Sequence, residues 1–461
     1  MRVFLKAVPM LLLGFFLFVP NVFAANSVTR LDGANRYEVA VNVSKQGWTS
    51  ASTVIVANGK AYADVLSATP FAYRNNAPVL LTEASKLPTA TKNRISQLKP
   101  SKVIVIGGTV SVQNGVVNEI KKLGVSSVER IGGANRYEVA ANIANKLPSN
   151  SKAVIANGTA YADSLAIGAY AARNGIPILL TSSNSIPTAT KNAMKSKGTT
   201  STIVVGGEVS ISSSVYKQLA SPTRIGGSNR YEVAANVVKK YYSSAKNAII
   251  SNGYAYADGL TGSVLAAKQN RPMMFTNASS LPTPTREVIG SKNMTTFTVL
   301  GGTVSLQSNV VSQLKNPIVG KKIFIDAGHG GTDSGAVGNG LYEKSVNLDV
   351  AKLINTKLSN GGALPVMART NDTYLTLAQR VSKAQSNHAD LFVSIHANSA
   401  TPAASGTETY YYTTYESANS KRLATGIQNR LYVALNTSNR GVKIGNFHVI
   451  RESKMPSCLV E

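Results

Sequence analysis

The sequence contains a single cysteine, Cys458, and only four histidines in 461 residues. One cysteine cannot form an internal disulfide framework, and it excludes a zinc site built from several thiolates. A metal site would therefore depend on histidine and carboxylate ligands. All four histidines follow residue 320, so histidine chemistry is confined to the last third of the chain. Cys458 lies in an apolar run, where we interpret it as a small buried hydrophobic residue.

Acidic residues are also scarce. The 22 aspartates and glutamates are outnumbered by 48 lysines and arginines, which gives a formal net charge of +26. Such an excess indicates polyanionic partners or surroundings. The basic residues are scattered rather than collected in one block, and they are not interleaved with aromatic residues as in nucleic-acid-binding modules. We therefore expect no nucleic-acid partner, and basicity without any specific partner is the second interpretation.

Long apolar runs are absent except near the amino terminus. Two basic residues precede an apolar run from Val8 to Val19, and Val22 and Ala24 occupy the positions expected before a cleavage site. This pattern predicts a secretory signal peptide, residues 1–24. A membrane anchor is the competing interpretation, but the run is short for a span, so we expect no stable membrane insertion after cleavage. In an exported bacterial protein, the positive charge favours wall polyanions such as teichoic acid over nucleic acid.

Between this segment and the histidines, the chain repeats itself three times. The tripeptide Asn-Arg-Tyr recurs at residues 35–37, 135–137 and 229–231. Each copy is followed by a helical pattern, an apolar run that ends in Asn-Gly, and the motif Ala-Tyr-Ala-Asp. A second helix, another apolar run, a third helix and a strand ending in Gly-Gly complete the unit. This alternation predicts an α/β fold in which parallel sheets are joined by crossover helices.

Each unit, at about 95 residues, is long enough to hold its own core, unlike a short solenoid repeat. We assign the three units to residues 28–125, 126–221 and 222–316. Little linker separates them, so a pseudo-threefold arrangement and a row of beads fit the sequence equally well. The clearest boundary is Asn316-Pro317-Ile318-Val319-Gly320, after which a last domain spans residues 321–461.

The last domain places a histidine after each of two predicted strands. Residues 323–325 are a short apolar run, and Asp326 and His329 follow where that strand would end. Residues 391–395 form a second apolar run, which ends at His396. In an α/β sheet, ligands gather beyond the carboxyl ends of the strands, so both histidines lie where chemistry is expected.

Two carboxylates complete this pattern. Glu343 opens a segment whose apolar residues have a helical period, and Glu461 ends a third strand-like run that begins at Met455. Two histidines and one acid match a catalytic His₂Glu zinc site with its fourth position left for water. A glutamate at the exit of the third strand fits a general base that takes a proton from that water. A simpler alternative for Glu343 is a partner of the helix dipole.

The domain carries four motifs in order: Ile-Asp-Ala-Gly-His-Gly-Gly, Glu-Lys-x-x-Asn-Leu, Ser-Ile-His-Ala-Asn and Met-Pro-x-x-Leu-Val-Glu. In these motifs it resembles the zinc-dependent N-acetylmuramoyl-L-alanine amidases over about residues 323–461. The resemblance implies an α/β zinc amidase domain that holds one Zn²⁺ per chain through His329, Glu343 and His396. It also implies that Glu461 is the catalytic carboxylate.

Further polar residues accompany these four. Asp326 and Asn398 neighbour the proposed ligands, so we expect them to orient imidazole rings or to contact substrate. Arg369 matches a polar position of the family, for which we expect a structural role first. Family members continue for some tens of residues after the catalytic glutamate, whereas this sequence ends at Glu461. We therefore expect a C-terminally incomplete amidase domain.

The three repeats resemble the type 2 cell-wall-binding repeats of Gram-positive wall proteins through their Asn-Arg-Tyr, Tyr-Ala-Asp and Gly-Gly motifs. The resemblance implies non-covalent attachment to anionic wall polymer. Arg36, Arg136 and Arg230 are candidate polymer contacts, because a guanidinium group can bind phosphate through two hydrogen bonds. In the alternative, arginines and aspartates such as Arg136 and Asp163 pair to hold the fold. We interpret Gly-Gly as turn chemistry, because no Gly-x-Gly-x-x-Gly phosphate fingerprint is present.

These resemblances together predict a secreted, wall-associated autolysin. It would cleave the amide between N-acetylmuramic acid and L-alanine of the stem peptide with zinc-activated water, and its repeats would anchor it to the wall. Its partners would be peptidoglycan and anionic wall polymer. The alternative is a wall-binding protein whose incomplete amidase domain is inactive. An exported zinc peptidase would share the metal site but lack the amidase motifs.

Overall fold

The computed structural model describes residues 25–398 and 405–461. The predicted signal peptide, residues 1–24, lies outside the described residues. In the described ranges, no helix is both long and apolar enough to cross a membrane. The chain divides into two compact units, of which one holds Ser27–Val288 and Lys292–Val311 and the other contains Ser312–Glu461. We call them the repeat unit and the amidase-like unit.

The repeat unit contains three four-stranded sheets, and all their strands run parallel. The strands are β1 (Ser27–Leu31), β2 (Thr53–Asn58), β3 (Val79–Thr82), β4 (Lys102–Ile106), β5 (Ser127–Ile131), β6 (Lys152–Asn157), β7 (Ile178–Thr181), β8 (Ser201–Val205), β9 (Pro222–Ile225), β10 (Asn247–Asn252), β11 (Met273–Thr276) and β12 (Thr296–Leu300). The sheet orders are β3-β2-β4-β5, β7-β6-β8-β9 and β11-β10-β12-β1.

The Asn-Arg-Tyr motif marks the start of the first helix in each repeat. The Asn35 side chain accepts hydrogen bonds from the N–H groups of Tyr37 and Glu38, and Asn135 and Asn229 cap their helices in the same way. The helices of this part of the chain are α1 (Arg36–Gly47), α2 (Thr69–Arg74), α3 (Thr89–Leu98), α4 (Asn114–Lys121), α5 (Arg136–Asn145), α6 (Tyr161–Arg173), α7 (Thr188–Ser196), α8 (Ser213–Lys217), α9 (Arg230–Tyr241), α10 (Tyr256–Gln269), α11 (Thr283–Lys292) and α12 (Ser308–Lys315).

The fourth strand of each sheet comes from the start of another repeat. β5 and β9 open the second and third repeats, yet they pair with the sheets of the first and second. β1 pairs with β12 of the third repeat, from Ser27 opposite Thr296 to Leu31 opposite Leu300. The three sheets therefore close into a ring, which decides against a row of beads.

Three tyrosines from the Ala-Tyr-Ala-Asp motifs meet where the repeats converge. The ring centroids of Tyr62, Tyr161 and Tyr256 lie 5.3, 4.8 and 5.6 Å apart. Helices α2, α6 and α10 contact one another in all three combinations. Tilted and edge-to-face contacts of this kind are favourable beyond the apolar area that they bury. The tyrosines thus form a common centre for the pseudo-threefold arrangement.

The Gly-Gly motif is explained by an aspartate that packs against it. Asp163 is buried, and the Ser210 hydroxyl donates a 2.9 Å hydrogen bond to its carboxylate. Gly206 has φ +119°, and a Cβ atom there would lie 2.6 Å from Asp163 Oδ2. Gly107 and Gly301 make the same close approach to Asp64 and Asp258. Only glycine fits this turn, which agrees with the turn chemistry predicted for the motif.

The amidase-like unit has one six-stranded sheet in the order β16-β13-β17-β20-β18-β19 and a small hairpin, β14-β15. Its strands are β13 (Lys322–Ala327), β14 (Val337–Gly338), β15 (Leu341–Tyr342), β16 (Leu364–Met367), β17 (Leu391–Ile395), β18 (Thr407–Tyr411), β19 (Asn439–Ile444) and β20 (Ser457–Val460). Its helices are α13 (Glu343–Asn360), α14 (Leu377–Ser386), α15 (Ser417–Leu435) and α16 (His448–Arg451). The three predicted strands are confirmed as β13, β17 and β20.

The central strands are buried on both faces. Ile323 and Ile325 pack with residues of α13 and α15 on one face, whereas Phe324 packs with residues of α14 and α16 on the other. Cys458 is fully buried in β20, as predicted. Because β13, β17 and β20 are neighbours and run parallel, their carboxyl ends meet at one edge of the sheet.

We predict that Asp163→Asn removes a pH-dependent destabilisation of the repeat unit. Burial raises the pKa of Asp163 from 3.8 to about 6, although the Ser210 hydrogen bond and the charge of Arg230 oppose the shift. The folded protein therefore binds this proton more tightly than the unfolded chain does. The contribution of this proton to the free energy of unfolding is complete below the pKa that Asp163 has in the unfolded chain. It is lost as the pH rises through about 6, and the loss amounts to roughly 3 kcal/mol in all.

Calorimetric melting at about pH 4 and about pH 7 tests this assignment. The wild type should lose more stability than Asp163→Asn between these two conditions. Asp32→Asn is the matched control, because Asp32 is an exposed aspartate of the same unit. An Asp163→Asn protein with the pH dependence of the wild type would contradict the assignment.

Candidate metal centre

Three predicted ligands converge at the edge of the sheet. Glu343 Oε2 lies 3.2 Å from His329 Nε2, and Glu343 Oε1 lies 2.9 Å from His396 Nδ1. One ligand atom from each residue falls within 4.8 Å of the other two. The structure thus brings together side chains that are 14 and 53 residues apart in the sequence.

Local backbone geometry places each of these side chains. His329 follows β13 with φ +60°, a left-handed conformation that costs free energy for a residue other than glycine. His396 follows β17, and its N–H donates to the Val460 carbonyl. Glu343 is the first residue of α13. The buried start of this helix turns the carboxylate towards both imidazoles.

Two glycines make room for the cluster. A Cβ atom on Gly335 would lie 2.6 Å from His329 Cδ2 and 2.7 Å from Glu343 Oε2. A Cβ atom on Gly328 would lie 2.4 Å from His396 Cε1. Larger residues at these positions would displace the ligands. Neither glycine was expected to have this role, and their positions in a Gly-rich stretch were the only sign of it in the sequence.

The Glu343 carboxylate is held in its ionised form. Burial by itself would raise the pKa of Glu343, but the hydrogen bond from His396, those from the N–H groups of Ala336 and Ala397, and the proximity of His329 lower it to about 2. A carboxylate with several donors is charged throughout the physiological pH range. It is therefore ready to bind a cation without first losing a proton.

Asp333 orients one of the imidazoles, a role that was expected for Asp326 and Asn398. Its Oδ2 atom lies 2.8 Å from His329 Nδ1, so Nε2 is left pointing towards Glu343. The Asp333 carboxylate also accepts a hydrogen bond from the Gly335 N–H group. The sequence contained a sign of this role, namely a carboxylate four residues after a candidate ligand.

Asp326 and Asn398 were expected to orient imidazole rings or to contact substrate, and their hydrogen bonds go to other groups. Asp326 forms a buried 2.7 Å ion pair with Arg380 and accepts a hydrogen bond from Ser394. Asn398 donates a 2.6 Å hydrogen bond to Glu408. Within the described residues, neither side chain forms a hydrogen bond with an imidazole. Strand alternation explains the difference for Asp326, because it shares the face of β13 that packs against α14.

Arg369 and Arg380 hold the loop that carries His329. Arg369 donates to the carbonyl groups of Ala327, Gly328 and Lys344 at 3.0, 2.8 and 2.7 Å. Arg380 donates to the Ala327 carbonyl at 2.7 Å and to the His329 carbonyl at 2.9 Å. Both arginines are buried. The contacts of Arg369 therefore favour a structural role, which is the role that was expected first.

Glu461 lies at the end of β20, beside the three candidate ligands. Its N–H donates to the Glu408 carbonyl and its carbonyl accepts from the Glu408 N–H, both at 2.9 Å. Burial raises the pKa of Glu461, and the nearby charges of Glu408 and Glu343 raise it further, against His396 and Arg440. A carboxylate that takes up a proton more readily than usual is suited to general acid–base chemistry.

All four residues line one cleft with a volume of about 610 Å³. Large apolar side chains on its wall are partly open to solvent, namely Tyr374 (49% exposed), Leu377 (54%) and Phe447 (37%). His448 lies on the same wall. A cleft with an apolar wall beside charged groups can bind a ligand that has both polar and apolar parts.

The donor set fits a divalent metal ion with an open position. Two imidazole nitrogens and one carboxylate are the ligands of catalytic zinc sites, and tetrahedral bonds of about 2.1 Å would separate ligand atoms by roughly 3.4 Å. The two close contacts of Glu343 with the histidines, 3.2 and 2.9 Å, are near that spacing. The cleft gives the fourth position access to substrate.

The three arginines of the Asn-Arg-Tyr motifs lie over the central tyrosines. Arg36 is 5.7 Å from the Tyr256 ring, Arg136 is 6.0 Å from Tyr62 and Arg230 is 5.4 Å from Tyr161. Each also donates to a glycine carbonyl: Gly59, Gly158 and Gly253. The suggested pair of Arg136 with Asp163 does not form in the described chain, where Arg230 is the arginine whose charge acts on Asp163.

Family comparisons match both parts of the chain. A family model described as N-acetylmuramoyl-L-alanine amidase matches residues 323–461. A model described as cell wall binding domain 2 (CWB2) matches residues 30–117, 130–216 and 224–311. The two descriptions agree with the resemblances drawn from the sequence motifs.

Individual proteins extend the match to the full length. The chain is 52% identical over 464 residues to the N-acetylmuramoyl-L-alanine amidase LytC of Bacillus subtilis (strain 168), with 100% of this chain and 93% of that protein covered. It is 35% identical to the amidase enhancer of the same organism, over 62% of this chain and 40% of that protein. The solved structure of Cwp6 from Clostridium difficile covers 95% of this chain and 74% of its own, with 31% identity and a TM-score of 0.63.

We predict that Asp333→Ala weakens metal binding without unfolding the protein. Loss of the carboxylate that orients a metal-binding imidazole costs about 10-fold to 100-fold in affinity. Competition with a chromophoric chelator measures this change. Asp349→Ala is the matched control, because Asp349 is an exposed aspartate on α13. Equal metal affinity in the two variants would contradict the role of Asp333.

Proposed function

The chain belongs to the N-acetylmuramoyl-L-alanine amidases that carry cell wall binding domains of type 2, and on that premise we propose that it is a wall-anchored autolysin. The observation that carries the proposal is the convergence of His329, Glu343 and His396 on a cleft that also contains Glu461. This arrangement supplies three metal ligands and one separate carboxylate, which is what a metal-assisted hydrolysis requires.

The metal that we assign to this centre is zinc, one ion per chain. Two imidazoles and a carboxylate form the donor set of a His₂Glu site, and the chain's single cysteine is buried in β20 and does not belong to the ligand cluster. A bound zinc ion lowers the pKa of a water molecule and polarises a carbonyl group. Asp333 fixes the tautomer of His329 so that Nε2 faces the metal position.

Glu461 is the residue that moves the proton. Its carboxylate accepts a proton from the attacking water and delivers it to the leaving amine of L-alanine. The pKa of Glu461 is raised, first by burial and then by neighbouring carboxylates, which makes its carboxylate a better proton acceptor than an exposed glutamate. The bond that is cleaved joins the lactyl group of N-acetylmuramic acid to L-alanine of the stem peptide.

The cleft wall orients this substrate. The lactyl group and L-alanine each present a methyl group, and Tyr374, Leu377 and Phe447 offer apolar surface beside the reacting position. Burial of such surface contributes about 25 cal/mol per Å², so small contacts suffice to favour one orientation. Asn398, held by Glu408, is positioned for polar contacts with the peptide backbone.

The remaining parts of the chain bring the enzyme to its substrate. Residues 1–24 direct export, residues 28–316 bind anionic wall polymer such as teichoic acid, and residues 321–461 hydrolyse peptidoglycan. The net charge of +26 supports attachment to a polyanionic wall. Arg36, Arg136 and Arg230 contribute to that attachment. The protein is therefore secreted and associated with the cell wall.

We predict that Glu461→Gln retains zinc but loses amidase activity. The amide side chain cannot accept the proton, and removal of a general base typically costs about 10²-fold to 10⁴-fold in rate. New L-alanine amino termini released from isolated cell walls report the activity, and elemental analysis reports the zinc. Glu416→Gln is the control, because Glu416 is exposed and its carboxylate bonds Asn419. Full activity in Glu461→Gln would exclude the assigned role.

Wall retention should weaken with salt. Each cationic contact with a polymer phosphate releases counterions, so the affinity falls as the salt concentration rises. Sedimentation of the protein with isolated walls, at a series of sodium chloride concentrations, measures the dependence. Retention that does not change with salt would rule out phosphate contacts as the main source of wall affinity.

A further inference from the structure

Each sheet of the repeat unit has a topological switch point. In the order β3-β2-β4-β5, the connection from β2 leads to β3 on one side of the sheet, whereas the connection from β4 leads to β5 on the other side. Doubly wound sheets bind their ligands in the crevice beyond the carboxyl ends of the two strands that flank this reversal. The same order is repeated in the other two sheets. The fold therefore predicts three equivalent crevices.

Cavities occupy two of these crevices. One of about 870 Å³ lies beyond β10, β12 and β1, between the third repeat and the start of the first. One of about 560 Å³ lies beyond β6, β8 and β9, between the second and third repeats. Both are lined by an Asn-Gly turn, an Ala-Tyr-Ala-Asp motif, a Gly-Gly loop and an Asn-Arg-Tyr motif. The repeated motifs of the sequence thus surround the cavities.

We propose that each of these junctions is a subsite for one polyol-phosphate unit of the wall polymer, which carries both an anion and hydroxyl groups. The proposal rests on the proposed wall attachment and adds its location and ligand chemistry. It assigns the third subsite to the equivalent residues between the first and second repeats, which include Asp64, Val110, Ser111 and Arg136.

One side of each cavity carries groups that recognise hydroxyls. Asp258 and Asn252 line the larger cavity, and the Ser305 hydroxyl donates to the Asp258 carboxylate. Asp163 and Ser210 make the same pair in the smaller cavity. Burial raises the pKa of both aspartates, which means that these carboxyl groups destabilise the folded protein when they ionise. Ligand binding gives a reason for acids to be placed there.

The other side of each cavity carries a guanidinium group. Arg36 lines the larger cavity and Arg230 the smaller one. Within the described chain their hydrogen bonds all use Nη1, so the guanidinium edge formed by Nε and Nη2 is left for an anion. Arginine binds phosphate and carboxylate groups through two parallel hydrogen bonds. The arginines can therefore hold the ring together and bind polymer at the same time.

An exposed valine stands at the edge of each crevice. Val110, Val209 and Val304 follow the Gly-Gly motifs and are 91%, 97% and 97% exposed. Val209 and Val304 line the two cavities. Side chains this exposed contribute almost nothing to the core of the protein. An apolar residue repeated at three equivalent exposed positions is instead suited to contact the carbon skeleton of a bound unit.

Three equivalent subsites on one ring suit a repetitive polymer. When one unit is bound, the next subsite meets the polymer at a high effective concentration, so weak sites combine into strong retention. Diffuse attraction between the net positive charge and the wall is the competing explanation. The two explanations differ in where a change of charge matters, because diffuse attraction depends on the total charge and not on its position.

The test compares two triple variants with the same change of charge. Val110→Glu/Val209→Glu/Val304→Glu adds three negative charges at the subsites. Ser52→Glu/Ser151→Glu/Ser244→Glu adds three at exposed positions near the amino ends of β2, β6 and β10, at the opposite edges of the sheets. All six substitutions are at exposed residues, and melting temperatures verify that both proteins fold.

We expect the subsite variant to lose wall affinity by at least about tenfold, because the avidity of linked sites depends on each site. In the control variant, the logarithm of the wall affinity should fall less than about half as far as in the subsite variant, since long-range charge is screened within about 10 Å. Equal losses in the two variants would overturn the subsites and leave wall attachment intact. Failure of the wild type to bind walls would instead refute the proposed attachment itself.

Small competitors test the ligand chemistry. Glycerol 3-phosphate, inorganic phosphate and glycerol are added at equal ionic strength to protein retained on isolated walls. Glycerol 3-phosphate should release the wild type at a lower concentration than either of the others, because it offers both the anion and the hydroxyls. Equal competition by inorganic phosphate would show that the subsites recognise the anion alone and would overturn the assignment to a hydroxyl-bearing unit.

Discussion

The amidase-like unit depends on two buried guanidinium groups. Arg369 and Arg380 donate hydrogen bonds to the carbonyl groups of Ala327, the last residue of β13, and of Gly328 and His329, which follow it. Burial of a charge is costly unless it is paired, and Asp326 supplies the ion pair for Arg380. With its carbonyl groups fixed, the loop can keep His329 at φ +60°. The residues of the candidate metal centre are therefore held in place by their supporting residues, which is the arrangement that a pre-organised site requires.

The repeat unit depends on a different constraint, the offset between its sequence repeats and its sheets. Each sheet takes its last strand from another repeat, so no repeat completes a sheet alone. The exchange brings the Asn-Arg-Tyr motif of one repeat next to the Ala-Tyr-Ala-Asp and Gly-Gly motifs of its neighbour. Ring closure by β1 and the junction cavities are thus two consequences of one arrangement. The repeat sheets are wholly parallel, whereas the six-stranded sheet contains one antiparallel pair, β18 with β20. In both units the candidate functional groups lie at the carboxyl ends of parallel strands.

The sequence was sufficient to predict the residues at the ends of strands. Short apolar runs identify β13, β17 and β20, and parallel neighbours bring their last residues together, so His329, His396 and Glu461 could be grouped without a structure. The partners of Asp326 could not be identified from the sequence, because adjacency in sequence does not reveal which face of a strand a side chain occupies. Asp333 and Arg380 reach the site through a turn and a distant helix, which periodicity does not encode. The closure of the three sheets into a ring could not be predicted either, since the pairing of β1 with β12 joins residues more than 260 positions apart.

The most direct test follows zinc and catalysis together on the part of the chain after the predicted signal peptide. Purified residues 25–461 are incubated with isolated cell walls, and zinc per chain is measured alongside the release of new L-alanine amino termini. We expect about one zinc per chain and release of amino termini. Chelation should remove the zinc and stop the release, and addition of zinc should restore both. Protein that binds the walls yet contains no zinc and releases no amino termini would contradict the assignment of His329, Glu343 and His396 as a catalytic metal centre.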